Sequence, residues 1–564
     1  MKAEALAPTR QKVTGAYYTP DRIASFLTEW AVRTPNDRVL DPSCGEGVFV
    51  LNAYERLIRL GTLKARIGGQ VVGVDQDSEA VAKLRQAGKD RFGGNGPTLW
   101  DADFFSLDAP THQLDLSQTG LFDAVIGNPP YIRYHYFTGE ARKKALAVAA
   151  REGVQISALT SAWAPFLVHA SCLVSKRGRL AMVLPAELLQ VGYAHPVRRF
   201  LCTQFSKIRI VAFDKRVFGN ALADTVLLLA ERGAFPNAVE MVRVSDASDL
   251  DEFIDTRVVA TATLAEIDQM DKWTVMFLPD KLRPSVGRIL NAENFSKVGE
   301  IGRVDIGVVT GSNSLFVVRP STAEKYGIER EVLTPIISGS RQLRGIEFRP
   351  KDLKAMADED QPVYLIDAAK GKDEFERSAA YEYLKKSAGG AREGFKVRSR
   401  KPWYVVPYAA IPELFMSYMA GGIPRLVANT AGATSTNTVH RVFLHSGSTN
   451  ARGIAWSFYN SVTMLSAELA GRSYGGGVFK LETGEAEEVI LPLQQPSQDR
   501  SDLHKQVDEC LRDGRTTEAM DLVNHELVDS RIADHADMSA AHEAWSILNV
   551  RRTSRMSSRG LAAA

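Results

Sequence analysis

Cysteine is scarce in this chain of 564 residues. Cys44, Cys172, Cys202 and Cys510 are scattered and form no C-x-x-C pair. That argues against a disulfide framework or a zinc site, and it fits a reducing, cytoplasmic compartment. No apolar run reaches the roughly 18 residues of a membrane span. The opening MKAEALAPTRQK is polar and lacks the apolar core of a signal peptide. Neither sign of charge dominates: the formal net charge is +2, so any basic surface has to be local and offset elsewhere. The hydrophobic share of 45% and charged share of 24% are ordinary for a globular chain. The length allows about two to four domains with full cores.

The most informative stretch is Leu121 to Tyr134, LFDAVIGNPPYIRY. Phe122, Ala124, Val125 and Ile126 predict a short buried strand of a parallel sheet. Gly127 lets the backbone turn. Asn128-Pro129-Pro130-Tyr131 then leaves the strand's carboxyl end, where open α/β sheets place their sites. The Asn128 side-chain carbonyl and the Pro129 backbone carbonyl are both acceptors. Neither proline has an N–H, so the loop is stiff and rich in acceptors. Two convergent acceptors suit an amino group with two hydrogens. Tyr131 adds a flat face for stacking a ring.

Upstream, Arg38 to Val50 reads as a strand, a small-residue loop and a helix. The loop Asp41-Pro42-Ser43-Cys44-Gly45-Glu46-Gly47 lacks the Gly-Lys-Ser/Thr of a phosphate loop and places a carboxylate at the strand end. A carboxylate there suits a cationic ligand better than a phosphate. Val71 to Asp75 is a second strand ending in an acid, a position that can take two ribose hydroxyls. Trp100 to Phe105 predicts a third strand end. At the front, Thr14 to Leu27 predicts a helix with Ile23, Phe26 and Leu27 on one face, capped by Thr19 or Asp21.

Asn-Pro-Pro-Tyr in this setting resembles the catalytic motif of amino-group methyltransferases that use S-adenosylmethionine. Gly15-x-Tyr17-Tyr18-Thr19-Pro20 and Asp-Pro-x-Cys-Gly-x-Gly are similar to the cofactor motifs of the same family. The motif order and the large C-terminal half resemble the gamma-class, TaqI-type, N6-adenine DNA methyltransferases. The resemblance implies a class I methyltransferase fold: an α/β, doubly wound, mostly parallel, Rossmann-like sheet, followed by a mixed α+β target-recognition region.

It also implies roles. Thr19 and the loop Asp41, Pro42, Ser43, Cys44, Gly45 and Gly47 would hold the methionine part of the cofactor. Asp75 would take the ribose and Asp103 the adenine, with Phe104 nearby. Phe166 would pack on that adenine, and Pro130 would also contact the cofactor. Asn128, Pro129 and Tyr131 would be catalytic. Tyr131 and Phe218 would sandwich a base flipped out of duplex DNA. Where many relatives have Pro-Gly-Gly, this chain has Lys176-Arg177-Gly178 after an amphipathic helix predicted over 160–173. The chemistry implied is methyl transfer to adenine N6, with no metal.

Beyond about residue 240 the catalytic pattern ends. Residues 240–290 read as a connector. Val298 to Arg319 carries a Gly-x-x-Thr-Gly stretch similar to the opening of the family's recognition region. REGFKVRSRKPWY, residues 392–404, interleaves Lys396, Arg398, Arg400 and Lys401 with aromatics including Trp403, a pattern that suits phosphate contact. Helices are predicted over 501–512, 516–533 and 538–548, then a disordered basic end from Arg551-Arg552. The domains expected are therefore 1–240 catalytic, 241–290 connector, 291–495 target recognition and 496–564 helical. The partners implied are double-stranded DNA and a separate restriction endonuclease or other defence-system subunit, with no membrane. Three rivals stand beside this reading: an RNA methyltransferase, a protein-glutamine methyltransferase, and a catalytically silent DNA-binding specificity protein.

Overall fold

The computed structural model describes residues 18–107, 121–132, 136–157, 160–215, 217, 224–234, 238–250, 257–263, 266–267, 272–407, 409–445, 450–474, 477–492 and 501–555. The chain divides into two compact units, Met1–Asp280 and Lys281–Ala564.

The first unit is built on a nine-stranded sheet. Its strands are β1 (Val39–Asp41), β2 (Val71–Asp75), β3 (Thr98–Asp101), β4 (Phe122–Gly127), β5 (Val174–Pro185), β6 (Lys207–Phe213), β7 (Thr225–Glu231), β8 (Ala238–Val244) and β9 (Val258–Thr263). Their order is β3-β2-β1-β4-β5-β7-β6-β8-β9. All run parallel except β7 and β9. The chain builds outward from β1 to β3, then returns to lay β4 on the other side of β1. That reversal is a topological switch point, where a doubly wound sheet opens a crevice at its strand ends. The expected doubly wound fold is what forms.

Helix α1 (Asp21–Ala31) buries Ile23, Phe26 and Leu27, as their spacing predicts. Helix α2 (Val48–Arg59) buries Phe49, Val50, Tyr54 and Leu57. Both faces join one core with Ala124 and Ile126 of β4. Each such side chain taken out of water contributes about 1.5–3 kcal/mol. Helix α3 (Ser78–Phe92) begins where the Asp77 carboxylate accepts from the Glu79 and Ala80 N–H groups.

Three expectations are corrected in this unit. The helix predicted as amphipathic is Trp163–Cys172, and every residue from Trp163 to Ser171 is buried; it is an interior helix, buried on all sides. Lys176-Arg177-Gly178 is no free turn but lies inside β5. There the ladder slips, with Phe122 opposite Val174 and Ala124 opposite Arg179. The connector expected over 241–290 does not exist as such. β8 and β9 extend the sheet beyond β6, and the unit runs to Asp280. Their buried residues alternate, Val239 with Met241 and Ala260 with Ala262, the period-two signature of strands. Small and hydroxylated residues in β9 masked that pattern in the sequence.

The second unit is mixed α+β. A five-stranded sheet orders Gly302–Asp305, Val439–Leu444, Leu414–Ser417, Leu426–Asn429 and Glu347–Phe348. A four-stranded sheet joins Val317–Val318, Tyr364–Ile366, Leu333–Ile337 and Thr434–Ser435. Helices Ser501–Arg512, Thr516–Asp529 and His535–Thr553 close the chain, the last packed on helix Ser461–Ala470. The basic end expected to be disordered begins inside that last helix. Arg551 and Arg552 are buried. Arg552 donates to Glu468 Oε1 at 2.6 Å and to the Gly477 carbonyl at 2.9 Å. Among the described residues no helix is long and apolar enough to cross a membrane.

Candidate active site

Four adjacent strands deliver their ends to the crevice. Asp41 ends β1, Asp75 ends β2, Asp103 follows β3, and Asn128 follows β4. Strand order therefore gathers four residues that are far apart in sequence.

Two bonds converge on Asn128. Its amide Nδ2 donates to Thr19 Oγ1 at 3.1 Å, and Ser43 Oγ donates to its backbone carbonyl at 3.2 Å. Thr19 thus does not cap α1, whose N-cap position is Pro20 without a side-chain bond. With Nδ2 engaged, the side-chain carbonyl Oδ1 faces the opposite way across Cγ. The end of β4 also lies very close to β1. A Cβ at Gly127 would stand 3.0 Å from Asp41 Oδ1, so a larger residue would displace the carboxylate. Pro129 is buried, and Pro130 and Tyr131 are half-buried. The loop's exit is pinned where Ala162 N–H donates to the Ile132 carbonyl at 2.9 Å.

Asp41 is 2% exposed. Its Oδ1 accepts from the Ser43 N–H at 3.2 Å, and its Oδ2 has no hydrogen-bond partner among the described residues. Burial pushes its pKa up to about 8, against which the Ser43 N–H works, while the nearby Asp75 charge adds to the rise. The same burial, with Asp41 and Asp75 close by, keeps the Cys44 thiol protonated, so it is no nucleophile. Asp75 is arranged differently. Its Oδ2 accepts from Gly45 N–H at 2.8 Å and its Oδ1 from Asp77 N–H at 2.9 Å. Each oxygen keeps a lone pair for a further donor.

Asp103 Oδ1 accepts from Phe105 N–H at 3.0 Å. Its Oδ2 meets Lys144 Nζ at 3.2 Å, and Lys144 also donates to Ser106 Oγ at 2.6 Å. Lys144 sits on helix Gly139–Arg151, for which the sequence suggested no role. No local signal could have revealed it, since its partner is 41 residues away. The Phe104 ring lies 4.5 Å from Phe166 and 4.6 Å from His169. Burial lowers the His169 pKa to about 4, so that ring is neutral within an aromatic cluster.

Beyond β5 the sequence missed a polar network. Glu187 Oε2 accepts from Tyr193 OH at 2.5 Å and from Trp163 Nε1 at 3.4 Å. The buried Arg198 fastens this segment through the Leu188 and Val191 carbonyls at 2.8 and 3.1 Å.

These residues fit S-adenosylmethionine. That molecule carries an α-ammonium and a sulfonium, and a buried carboxylate with an unpartnered oxygen is stabilised by a cation. Asp75 retains acceptor capacity for ribose hydroxyls, and the Phe104–Phe166 pair, with its rings tilted 40° to each other, is an apolar wall beside Asp103. No group of three or more metal-ligating side chains occurs among the described residues.

Phe218, expected as the second stacking residue, lies outside the described residues. Lys396, Arg398, Arg400, Lys401 and Trp403 belong to the second unit. Lys396, Arg398 and Lys401 are exposed, as phosphate contact requires. Arg400 and Trp403 are not so disposed. The Arg400 guanidinium donates to the Val309 and Thr310 carbonyls, at 2.8 Å for the latter. Trp403 is half-buried against the core, 6.5 Å from Phe316, with the Arg392 guanidinium over its ring at 4.5 Å.

Comparison with known proteins gives a consistent likeness. Residues 3–304 match the family model described as N-6 DNA Methylase. Residues 270–528 match that of the Type II methyltransferase M.Eco57I, C-terminal domain. The chain is 21% identical over 504 residues to the Type II methyltransferase M.AccI of Acinetobacter calcoaceticus, covering 87% of each. It is 25% identical over 487 residues to the Type II methyltransferase M.XamI of Xanthomonas campestris pv. amaranthicola, covering 85% of each. Among solved structures, the Type IIL restriction-modification enzyme MmeI in complex with DNA shares the fold. That likeness has a TM-score of 0.54 and 11% identity, covering 96% of this chain and 73% of that one.

Proposed function

Because the chain belongs to the N-6 DNA methylase family, with S-adenosylmethionine as its methyl donor, we propose that it methylates the N6 amino group of adenine at one short site in duplex DNA. The observation that carries this reading is the convergence of Thr19 and Ser43 on Asn128. The elements that would hold the donor and the loop that would hold the acceptor amine are one hydrogen-bonded unit.

When bound, S-adenosylmethionine supplies an electrophilic methyl group on sulfonium. The loop Asp41–Gly47 and Thr19 would hold its methionine part, Asp75 its ribose, and Asp103 with Phe104 and Phe166 its adenine. The chain's own work is positioning. Asn128 Oδ1 and the Pro129 carbonyl accept from the two hydrogens of the amino group, which keeps the nitrogen lone pair directed along one line. An amide is not a base at neutral pH, so Asn128 orients and polarises. Tyr131 supplies a stacking face, which requires the adenine to leave the helix. Preorganised acceptors of this kind act mainly by orientation and fixed dipoles.

Duplex DNA as the substrate is supported by the second unit's match to a type II methyltransferase C-terminal domain and by its exposed cations. The relatives' designation as type II methyltransferases supports a cytoplasmic enzyme of a restriction-modification system with a separate endonuclease. The motif order supports the gamma class. The test is expression in a methylation-deficient bacterial host, followed by modification-sensitive sequencing of native genomic DNA. N6-methyladenine at nearly every copy of one short sequence is expected. Methyl groups on cytosine N4 would overturn the base. An unmodified genome from cofactor-binding protein would turn the reading to RNA or protein-glutamine substrates.

A further inference from the structure

Phe395 is the one exposed phenylalanine among the described residues, at 70%. It opens the short helix Phe395–Arg398. This is not a loose loop end. Val397, two residues on, is fully buried. A Cβ at Gly311 would come within 2.9 Å of Val397 Cγ2 and 3.1 Å of Lys396 Cβ, so the two segments touch backbone to side chain. Arg400 then fastens the turn by donating to the Val309 and Thr310 carbonyls. The helix is seated on one side and presents an aromatic ring on the other.

Two further apolar side chains are exposed in the same unit. Ile306 is 45% exposed and Ile411 is 49% exposed. Ile306 precedes the segment that Arg400 grips. A second buried arginine, Arg441, donates to the Ile306 carbonyl at 3.0 Å and the Ala410 carbonyl at 3.3 Å. Two arginines therefore staple three loops, 306–311, 395–401 and 409–411, through backbone carbonyls. Each loop holds out one hydrophobic side chain. The segment that carries Phe395 is cationic. Residues 392–401 contain Arg392, Lys396, Arg398, Arg400 and Lys401 against the single acid Glu393. Arg392, Lys396, Arg398 and Lys401 are exposed.

An exposed phenylalanine within a basic patch is poorly matched to an apolar protein surface. It matches a polyanion that offers flat apolar faces between its charges. We infer that this surface is a duplex-DNA contact in which Phe395 enters a groove as a wedge against a base step. Arg392, Lys396, Arg398 and Lys401 hold the flanking phosphates. Apolar side chains that part a base step in this way let a protein read how easily the step deforms, not only its edges. The assignment rests on the duplex-DNA reading above and adds a residue that acts on the bases, where the cations act on the backbone.

The test uses the full-length protein, its Phe395→Ala, Phe395→Trp and Lys396→Gln variants, and a short fluorescent duplex carrying the methylated site. Anisotropy over a salt series should show Phe395→Ala binding about 5- to 150-fold more weakly, the range of one lost aromatic stacking contact. Its salt slope should match the parent's, whereas Lys396→Gln should flatten the slope by about 0.9. Phe395→Trp should retain affinity. With 2-aminopurine walked through the duplex, one position other than the target adenine should brighten with the parent and stay dim with Phe395→Ala. Parent-like affinity and brightening in a folded Phe395→Ala protein would overturn the wedge while leaving methylation intact. Loss of self-association in that variant, with DNA binding unaltered, would make the patch an interface between copies. A parent protein that binds no duplex would instead remove the DNA reading itself.

Discussion

Asp41 should give up a proton when the cofactor binds. Its carboxyl moves from an ordinary 3.8 to about 8 because it is buried with one oxygen unpartnered. That rise corresponds to about 6 kcal/mol opposing ionisation. At pH 7 the folded carboxyl is then about nine-tenths protonated, and at pH 9 about one-tenth. A cation bound against it reverses the preference. Binding of S-adenosylmethionine should therefore release most of a proton per chain from Asp41 at pH 7. Isothermal titration calorimetry in buffers of different ionisation enthalpy reads this number directly, without turnover. Asp41→Asn should bind more weakly and release none. The same shift acts on stability with a definite sign. The folded pKa is raised, so the contribution is fully present below the unfolded value near 3.8. It is lost as pH rises toward 8. Asp41→Asn should thus be the more stable protein at pH 8 and show a flatter stability profile from pH 4 to 8. Binding with no proton release at pH 7 would refute the argument, since it would mean that Asp41 is either already ionised or indifferent to the ligand.

Three other outcomes are expected. Asn128→Ala should bind cofactor within a few-fold of the parent but lose at least about 10²-fold in single-turnover rate, and Thr19→Val, which removes the Thr19 acceptor from the Asn128 amide, about 10-fold. Arg552→Met should destabilise the second unit by about 3–5 kcal/mol in urea unfolding, because Glu468 would be left buried without its partner. A fragment ending at residue 280 should fold and bind cofactor, whereas one ending near 245 should be insoluble or molten by near-UV circular dichroism, since it exposes the edge of β8 that β9 covers.

Much of the candidate site was legible because its information is local. A buried strand that ends in Asn-Pro-Pro-Tyr states its own conformation: the apolar run sets the strand, glycine the turn, and two prolines the stiffness. The same holds for Asp41 and Asp75, each an acid where a hydrophobic run stops. Those residues, and the doubly wound sheet that repeats strand and helix between them, could be read without coordinates. Tertiary structure decided what the cations do. In the sequence Arg398, Arg400 and Lys401 are one basic run, yet Arg400 serves the carbonyl of Thr310, 90 residues away, and is taken from solvent. Arg552 looks like part of a basic tail, yet it pairs with Glu468, 84 residues away. β9 is two valines followed by alternating alanine and threonine, a weak strand signal until β8 lies beside it. A charge or a short strand takes its meaning from the partner the fold brings to it, and a partner so distant leaves no mark on the neighbouring residues.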